Sequence, residues 1–218
     1  QKTTRRLSLE RMELMDRCVG TVVRDNETIY CCDVNTPLMD ALQILKDHHI
    51  RAILIEETEG APHRMLDTDD IVKFLASTWN SLPAGQAQNS EEHKAAIRKA
   101  FAAATAGQLA GAVHGSHVRY APFDTPLDMV MEWMASGESH RVLVEDAQPE
   151  GELLDIITPN TMFSYLFTHQ DEYGFAKIMA RPLSEVHVAL EKGVTTVGEN
   201  DIAISALARM AECRMHNV

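Results

Sequence analysis

The stretch TPLMDALQILKDHHIRAILIEE, residues 36–57, is echoed by TPLDMVMEWMASGESHRVLVED, residues 125–146, and this pair decides the fold. Both open on Thr-Pro-Leu, at Thr36 and at Thr125. Both continue with apolar residues at helical spacing: Leu38, Ala41, Leu42 and Leu45 in one, Leu127, Val130, Met131 and Met134 in the other. Each then reaches a short apolar run, AILI or VLV, that reads as a buried strand. Basic residues stand just ahead of that run, Arg51 in the first copy and His140 with Arg141 in the second. Helix period, strand and charge placement match together, so the chain is built on an internal repeat.

Thr36 and Asp124-Thr125 read as helix N-caps, with Pro37 and Pro126 at the first helical position, where a missing N–H does no harm. Turn-rich segments, ETEGAPHR and DAQPEGE, follow the strands. Beyond them lie second short strands, Met65–Leu66 and Leu153–Ile157, and second amphipathic helices, DDIVKFLASTW and PNTMFSYLFTH. The unit therefore reads strand, helix, strand, strand, helix. A third copy starts near Val194, with an opening strand at Thr195–Val197, a cap at Asn200 or Asp201, and an apolar helix through Ile202, Ala206, Leu207 and Met210. His216 falls at the place of Arg51, and the unit stops at Val218, before its second strand; it reads as truncated.

The expected organisation is an N-terminal helix and lead-in over 1–27, a first repeat over 28–80, a connector with a helical insertion over 81–116, a second repeat over 117–170, a connector over 171–193, and a partial third repeat over 194–218. EEHKAAIRKAFAAA is the helical insertion, with acidic residues at its start. Ser8–Arg17 reads as a helix packed beside the first repeat.

Composition narrows the function classes. No apolar stretch approaches the roughly 18 to 20 residues that cross a bilayer, and the N-terminus lacks the apolar run of a signal peptide. Lys plus Arg total 20 against 32 for Asp plus Glu, a net charge of −12. A nucleic acid would meet net repulsion, whereas a small phosphorylated ligand needs only a few clustered basic groups. The four cysteines, Cys18, Cys31, Cys32 and Cys213, follow no metal-ligand spacing. They read as reduced thiols, with Cys31 and Cys32 on opposite faces of a strand. His48, His49, His63, His114 and His117 lack a convergent carboxylate or thiol, so no metal is expected. Met39, Met129, Met131, Met134 and Met210 read as core filling on repeat helices. Arg5-Arg6-Leu7-Ser8 fits a basophilic kinase site, and no nucleophile sits with a recognisable base.

The β-α-β-β-α unit, its Thr-Pro-Leu helix start, its basic-then-apolar strand and the approach LDTDDIV to its last helix resemble a cystathionine-β-synthase (CBS) domain. Over residues 28–218 the order of details is similar to the γ subunits of AMP-activated protein kinase and their fungal relatives. Ile50-Arg51-Ala52 matches the V-R-A of their first repeat and His140-Arg141-Val142 the H-R-L of their second. Asp67-Thr68-Asp69-Asp70 and Thr158-Pro159-Asn160-Thr161 stand for their hydroxyl-x-x-Asp approach to the last helix.

The resemblance implies a mixed α/β fold of tandem CBS repeats, packed as a pseudo-twofold Bateman pair with a truncated third repeat. It implies a non-catalytic regulatory chain with no cofactor, holding an adenine nucleotide (AMP, ADP or ATP) in clefts between repeats. Asp70 would take the ribose hydroxyls, Arg51, His140 and Arg141 the phosphates, and Thr158 would offer a hydroxyl near the phosphate. The chemistry suits those roles: a carboxylate accepts from two vicinal hydroxyls, and Arg forks onto phosphate oxygens. Thr161 departs by standing where the second ribose Asp belongs, and Asn160 replaces a Lys. Asp67, at a position usually Ser or Thr, would repel an anion unless paired, with His63 and Arg64 at hand. A helix N-terminus also favours Asp69 and Asp70 on dipole grounds alone. The implied partners are catalytic and scaffold subunits of a protein kinase, and self-association between CBS units, in the cytoplasm or nucleus. Two other readings fit: a ligand-free CBS interaction module, and the regulatory segment of a larger enzyme.

Overall fold

The computed structural model describes residues 17–24, 28–57, 64–82, 91–112, 118–136, 139–146, 152–172, 176–177, 180–182, 185 and 196–213. The first repeat forms β1 (Cys31–Asp33), α1 (Leu38–Asp47), β2 (Ala52–Glu56), β3 (Arg64–Asp67) and α2 (Thr68–Asn80). The connector carries α3 (Glu91–Ala103) and a short α4 (Ala106–Leu109). The second repeat forms β4 (Arg119–Pro122), α5 (Leu127–Ala135), β5 (Val142–Glu145), β6 (Leu153–Ile157) and α6 (Pro159–Thr168), and α7 (Ala203–Cys213) follows. Each repeat makes its own three-stranded sheet. The middle strand runs parallel to the first, through a right-sized helical crossover, and antiparallel to the third. The apolar runs are the buried middle strands: Ile53, Leu54 and Ile55 in β2, and Val142, Leu143 and Val144 in β5, are all 0% exposed.

Two compact units emerge, and neither is continuous in sequence: residues 30–117 with 194–218, and residues 1–29 with 118–193. In the unit of the first repeat, Leu38, Ala41 and Leu45 of α1 pack on Ile53 and Ile55, joined by Ala104, Ala106 and Leu109 of the connector. The insertion helix α3 lies against α2, where Phe101 meets Phe74 (ring centroids 5.3 Å apart) and His93 meets Trp79 (5.3 Å). α7 also packs along α2. In the unit of the second repeat, Leu127 and Val130 of α5 pack on Val142, Val144 and Ile157, joined by Val19 and Val22 of the lead-in.

The lead-in therefore belongs with the second repeat, not beside the first as its sequence position suggested. The helix expected over Ser8–Arg17 lies, apart from Arg17, outside the described residues, as does the Arg5–Ser8 motif. Residues 17–20 clasp the second repeat: the Val19 N–H donates to the Thr125 carbonyl (2.7 Å), Gly20 N–H to Phe123 (3.0 Å), and Leu127 N–H to Arg17 (2.9 Å). Residues 104–107 of the connector clasp the first repeat in the same way, Ala106 N–H to Thr36 (2.8 Å), Gly107 N–H to Val34 (3.0 Å) and Leu38 N–H to Ala104 (2.9 Å). Each repeat is thus completed by the segment that precedes the other one.

These clasps explain a correction at the helix starts. α1 and α5 begin at Leu38 and Leu127, with Pro37 and Pro126 as N-caps in extended conformation and no side-chain cap from either threonine. The first helical N–H needs no threonine hydroxyl, because the clasp carbonyl of Ala104 or Arg17 takes it. The tight turn ahead recurs three times, as Thr36 N–H to Asp33 (2.9 Å), Thr125 N–H to Pro122 (2.8 Å) and Asp201 N–H to Gly198 (3.0 Å). The third opening strand does not form where it is described: Thr196 and Val197 are irregular. Cys31 is exposed and Cys32 buried, as a pleated strand requires. Two of the core-filling methionines are not core: Met39 is 53% and Met129 43% exposed. No helix among the described residues is long and apolar enough to cross a membrane.

Candidate functional site

In the first repeat the candidate residues meet at one corner. Arg51 is exposed at the start of β2, and its carbonyl accepts the N–H of Thr68, the first residue of α2, at 3.0 Å. Asp67 closes β3 and caps α2, its Oδ1 accepting from the Asp69 N–H (3.0 Å) and the Thr68 hydroxyl (3.0 Å). Asp70, three residues on, returns its Oδ2 to the Asp67 N–H at 3.0 Å. The two aspartates thus form a capping box, with both carboxylates at the positive end of the helix. The same Asp70 oxygen accepts the Gly111 N–H at 3.3 Å, and the residue is only 1% exposed. Asp67 is 3% exposed, so its charge is answered by helix N–H groups. Arg64 is occupied elsewhere, with Glu57 and with the Gly107 carbonyl (2.8 Å). His63 lies outside the described residues.

The second repeat sets the same corner differently. Val142 pairs with Ile157, so Arg141 and Thr158 share one end of the sheet. His140 and Arg141 are part-buried. The Arg141 carbonyl accepts from the Ser139 hydroxyl, 2.5 Å away, where the first repeat uses a backbone N–H. Thr158 caps α6, accepting from the Thr161 N–H at 3.1 Å, and the two hydroxyls lie 2.9 Å apart. Thr161 occupies the place in α6 that Asp70 holds in α2, and no carboxylate replaces it on the helix.

A carboxylate does appear close by in sequence, on the strand, and reading the sequence missed it. Asp155 of β6 is 0% exposed. It accepts from Arg24 three times: the backbone N–H to Oδ2 (3.1 Å), Nε to Oδ2 (3.2 Å) and Nη2 to Oδ1 (3.0 Å). Its Oδ1 also accepts the Ile156 N–H at 2.6 Å. The signal available in sequence was thin: a lone Asp inside the otherwise apolar strand LLDII, and the glycines Gly20 and Gly107 placed alike ahead of the two repeats. Those glycines are close-approach sites. A Cβ on Gly20 would fall 2.3 Å from the Phe123 ring, and one on Gly107 would fall 2.2 Å from Val34 Cγ2 and 2.6 Å from the Val34 carbonyl. Among the described residues, no cluster of His, Cys, Asp and Glu could hold a metal ion.

Comparison with known proteins agrees with this architecture. The CBS domain model matches residues 15–77. Protein MJ1225 from Methanocaldococcus jannaschii, a proposed archaeal homologue of g-AMPK, superposes with a TM-score of 0.63 at 12% identity, covering 91% of this chain and 64% of that one. The CBS-pair protein CBSX2 from Arabidopsis thaliana superposes with a TM-score of 0.51 at 13% identity, covering 71% of this chain and 96% of that one. CBSX2 in complex with AMP is also similar, with a TM-score of 0.46 at 18% identity, covering 70% and 98%. No curated protein sequence matches the chain. Residues 15–77 match the CBS domain model, and the chain has the mixed α/β fold of CBS-pair proteins.

Proposed function

We propose that this CBS-domain chain is a non-catalytic regulatory subunit that binds an adenine nucleotide and passes its occupancy to a protein kinase. Arg51 carries the reading. It is an exposed cation in a chain of net charge −12, and its carbonyl is bonded to the first residue of a thirteen-residue helix. A phosphate at that corner would meet a guanidinium and a helix N-terminus together. Asp70 would accept the ribose hydroxyls. Arg141 and His140 would serve phosphate at the matching corner of the second repeat, with Thr158 adding a hydroxyl. The kinase partners, catalytic and scaffold, follow the likeness to the proposed g-AMPK homologue, and a cytoplasmic or nuclear location goes with them. Regulation would be a population shift, no larger than the nucleotide's preference for one arrangement over another.

Isothermal titration with AMP, ADP and ATP tests the assignment. At least one should bind, and Arg51→Ala should weaken it about tenfold or more, the loss of a charge-assisted contact. No heat from any of the three, or equal binding by Arg51→Ala and by Asp70→Ala, removes the site. A ligand-free interaction module is the second reading, favoured by the burial of Asp70 in hydrogen bonds to its own chain. It requires partner binding that survives nucleotide removal and is indifferent to Arg141→Ala.

A further inference from the structure

The two clasps end alike. Gly111 and Arg24 stand at the same distance beyond Gly107 and Gly20, and each gives its backbone N–H to a buried carboxylate: Gly111 to Asp70 at 3.3 Å, Arg24 to Asp155 at 3.1 Å. The Gly111 N–H is shared with the Met65 carbonyl at 3.1 Å. Sheet register puts Asp155 at the place of Arg64, next to Met65, since Ile55 pairs with Arg64 as Val144 pairs with Asp155. The negative charge that receives the clasp has therefore changed address between the repeats, from the second helix to the third strand. Gly111 also holds φ at 78°, a conformation in which glycine alone is unstrained, so the chain has kept the geometry that brings this N–H in.

We propose that Asp70 is a positioning residue for the connector, and that nucleotide binding at Asp70 trades against its hold on Gly111. The inference rests on the nucleotide reading given above. A ribose diol donating to Oδ2 competes with the Gly111 N–H for one oxygen's acceptor capacity, and residues 104–112 loosen from the first repeat. The second repeat cannot respond in this way. Its clasp is held by Asp155, which is bound to the Arg24 guanidinium and lies on a strand away from the helix start. Ligand occupancy at the first repeat thus becomes slack in the segment that leads on to the second, while the clasp on the second stays closed.

Hydrogen–deuterium exchange on the full chain, with peptides spanning 104–112 and 17–24, tests this. Saturating AMP, ADP or ATP, whichever calorimetry shows to bind, should speed exchange at Gly111 roughly three- to tenfold, the loss of one hydrogen bond, and leave Arg24 unchanged. Asp70→Ala, which removes the acceptor, should give the same acceleration with no nucleotide present. Asp155→Asn should accelerate 17–24 and spare 104–112. Protection or no change at Gly111 in a chain that calorimetry shows to be loaded overturns the trade and leaves nucleotide binding standing. No heat with any nucleotide overturns the nucleotide reading and the trade with it. Unchanged exchange at Gly111 in a folded Asp70→Ala chain overturns the positioning role. If that variant does not fold, the nucleotide arm on the unaltered chain decides.

Discussion

The first repeat holds its clasp with a carboxylate on a helix, Asp70, and the second with a carboxylate on a strand, Asp155. Around these two the backbone plan is the same: one parallel and one antiparallel strand pairing, one tight turn, and three clasp hydrogen bonds at matching positions. The comparison teaches that the backbone plan was retained while side-chain chemistry was free to migrate. It also separates the two corners proposed as sites. The first repeat has a buried carboxylate at the helix start that Arg51 adjoins, which in the proposed reading would serve a diol and a phosphate; the second has hydroxyls at the sheet end shared with Arg141, which would serve a phosphate alone.

The two tryptophans make the comparison measurable, because Trp79 lies in α2 of the first repeat and Trp133 in α5 of the second. Single-tryptophan variants report each repeat separately in urea. The largest effect expected is from Arg24→Ala, which strips the counterion from a carboxylate that is 0% exposed. It should cost the Trp133 transition about 3 kcal/mol and leave the Trp79 transition in place; equal losses in both would break the pairing of lead-in with second repeat. Asp155→Ala should cost less, because the Arg24 side chain is 46% exposed and can rehydrate.

Next come the glycines. Gly107→Ala must displace a backbone carbonyl and should cost about 2 to 3 kcal/mol, read by Trp79. Gly20→Ala meets only the half-exposed Phe123 ring and should cost about 1 kcal/mol, read by Trp133. Reversal of that order would mean that the two clasps are not built alike. Thr158→Ala removes the cap of α6 and should cost about 1 kcal/mol; if Thr158 also serves phosphate, nucleotide affinity falls beyond what the cap explains.

The smallest effect is chemical. Burial, with Glu56 adding repulsion, pushes the Cys31 thiol up to about 11 despite its exposed position. Its native form binds a proton more tightly than the unfolded form, so this group subtracts stability as pH rises from about 9 to about 11. Iodoacetamide at pH 8 should therefore label Cys31 more slowly in the native chain than in urea, and the gap should close above pH 11. Equal rates at pH 8 would place the thiol in water.

Elements were legible from the sequence wherever local pattern decides them. The helical spacing of Leu38, Ala41 and Leu45, the runs AILI and VLV, and LLDII as a strand all follow from side-chain periodicity, which belongs to the residues themselves. What was not legible depends on partners far along the chain. Pro37 reads as a first helical residue because Thr36 is a good cap; it is displaced to the cap because Ala104, from beyond a whole repeat, satisfies the helix instead. Asp70 was legible as a carboxylate at a helix start, but its tie to Gly111 was not, since nothing near Gly111 announces a carboxylate. Asp155 and Arg24 form an ion pair 131 residues apart in sequence, beyond the reach of any window.

The exchanged clasps also set an order of synthesis against an order of folding. Residues 17–24 are made first, yet their docking surface is complete only once β6 exists; the clasp of the first repeat is made only after α3. The closures span roughly 70 residues in the first repeat and roughly 100 to 110 in the second, and loop entropy grows only slowly with such lengths, so the cost lies in waiting more than in free energy. During that wait the apolar faces of Val19 and Val22, and of Ile53 and Ile55, stand open to each other and to neighbouring chains. A lead-in that meets the second repeat of another molecule finds the same clasp waiting there. The feature that finishes each repeat is thus also the one through which two nascent chains could become entangled, or trade their ends.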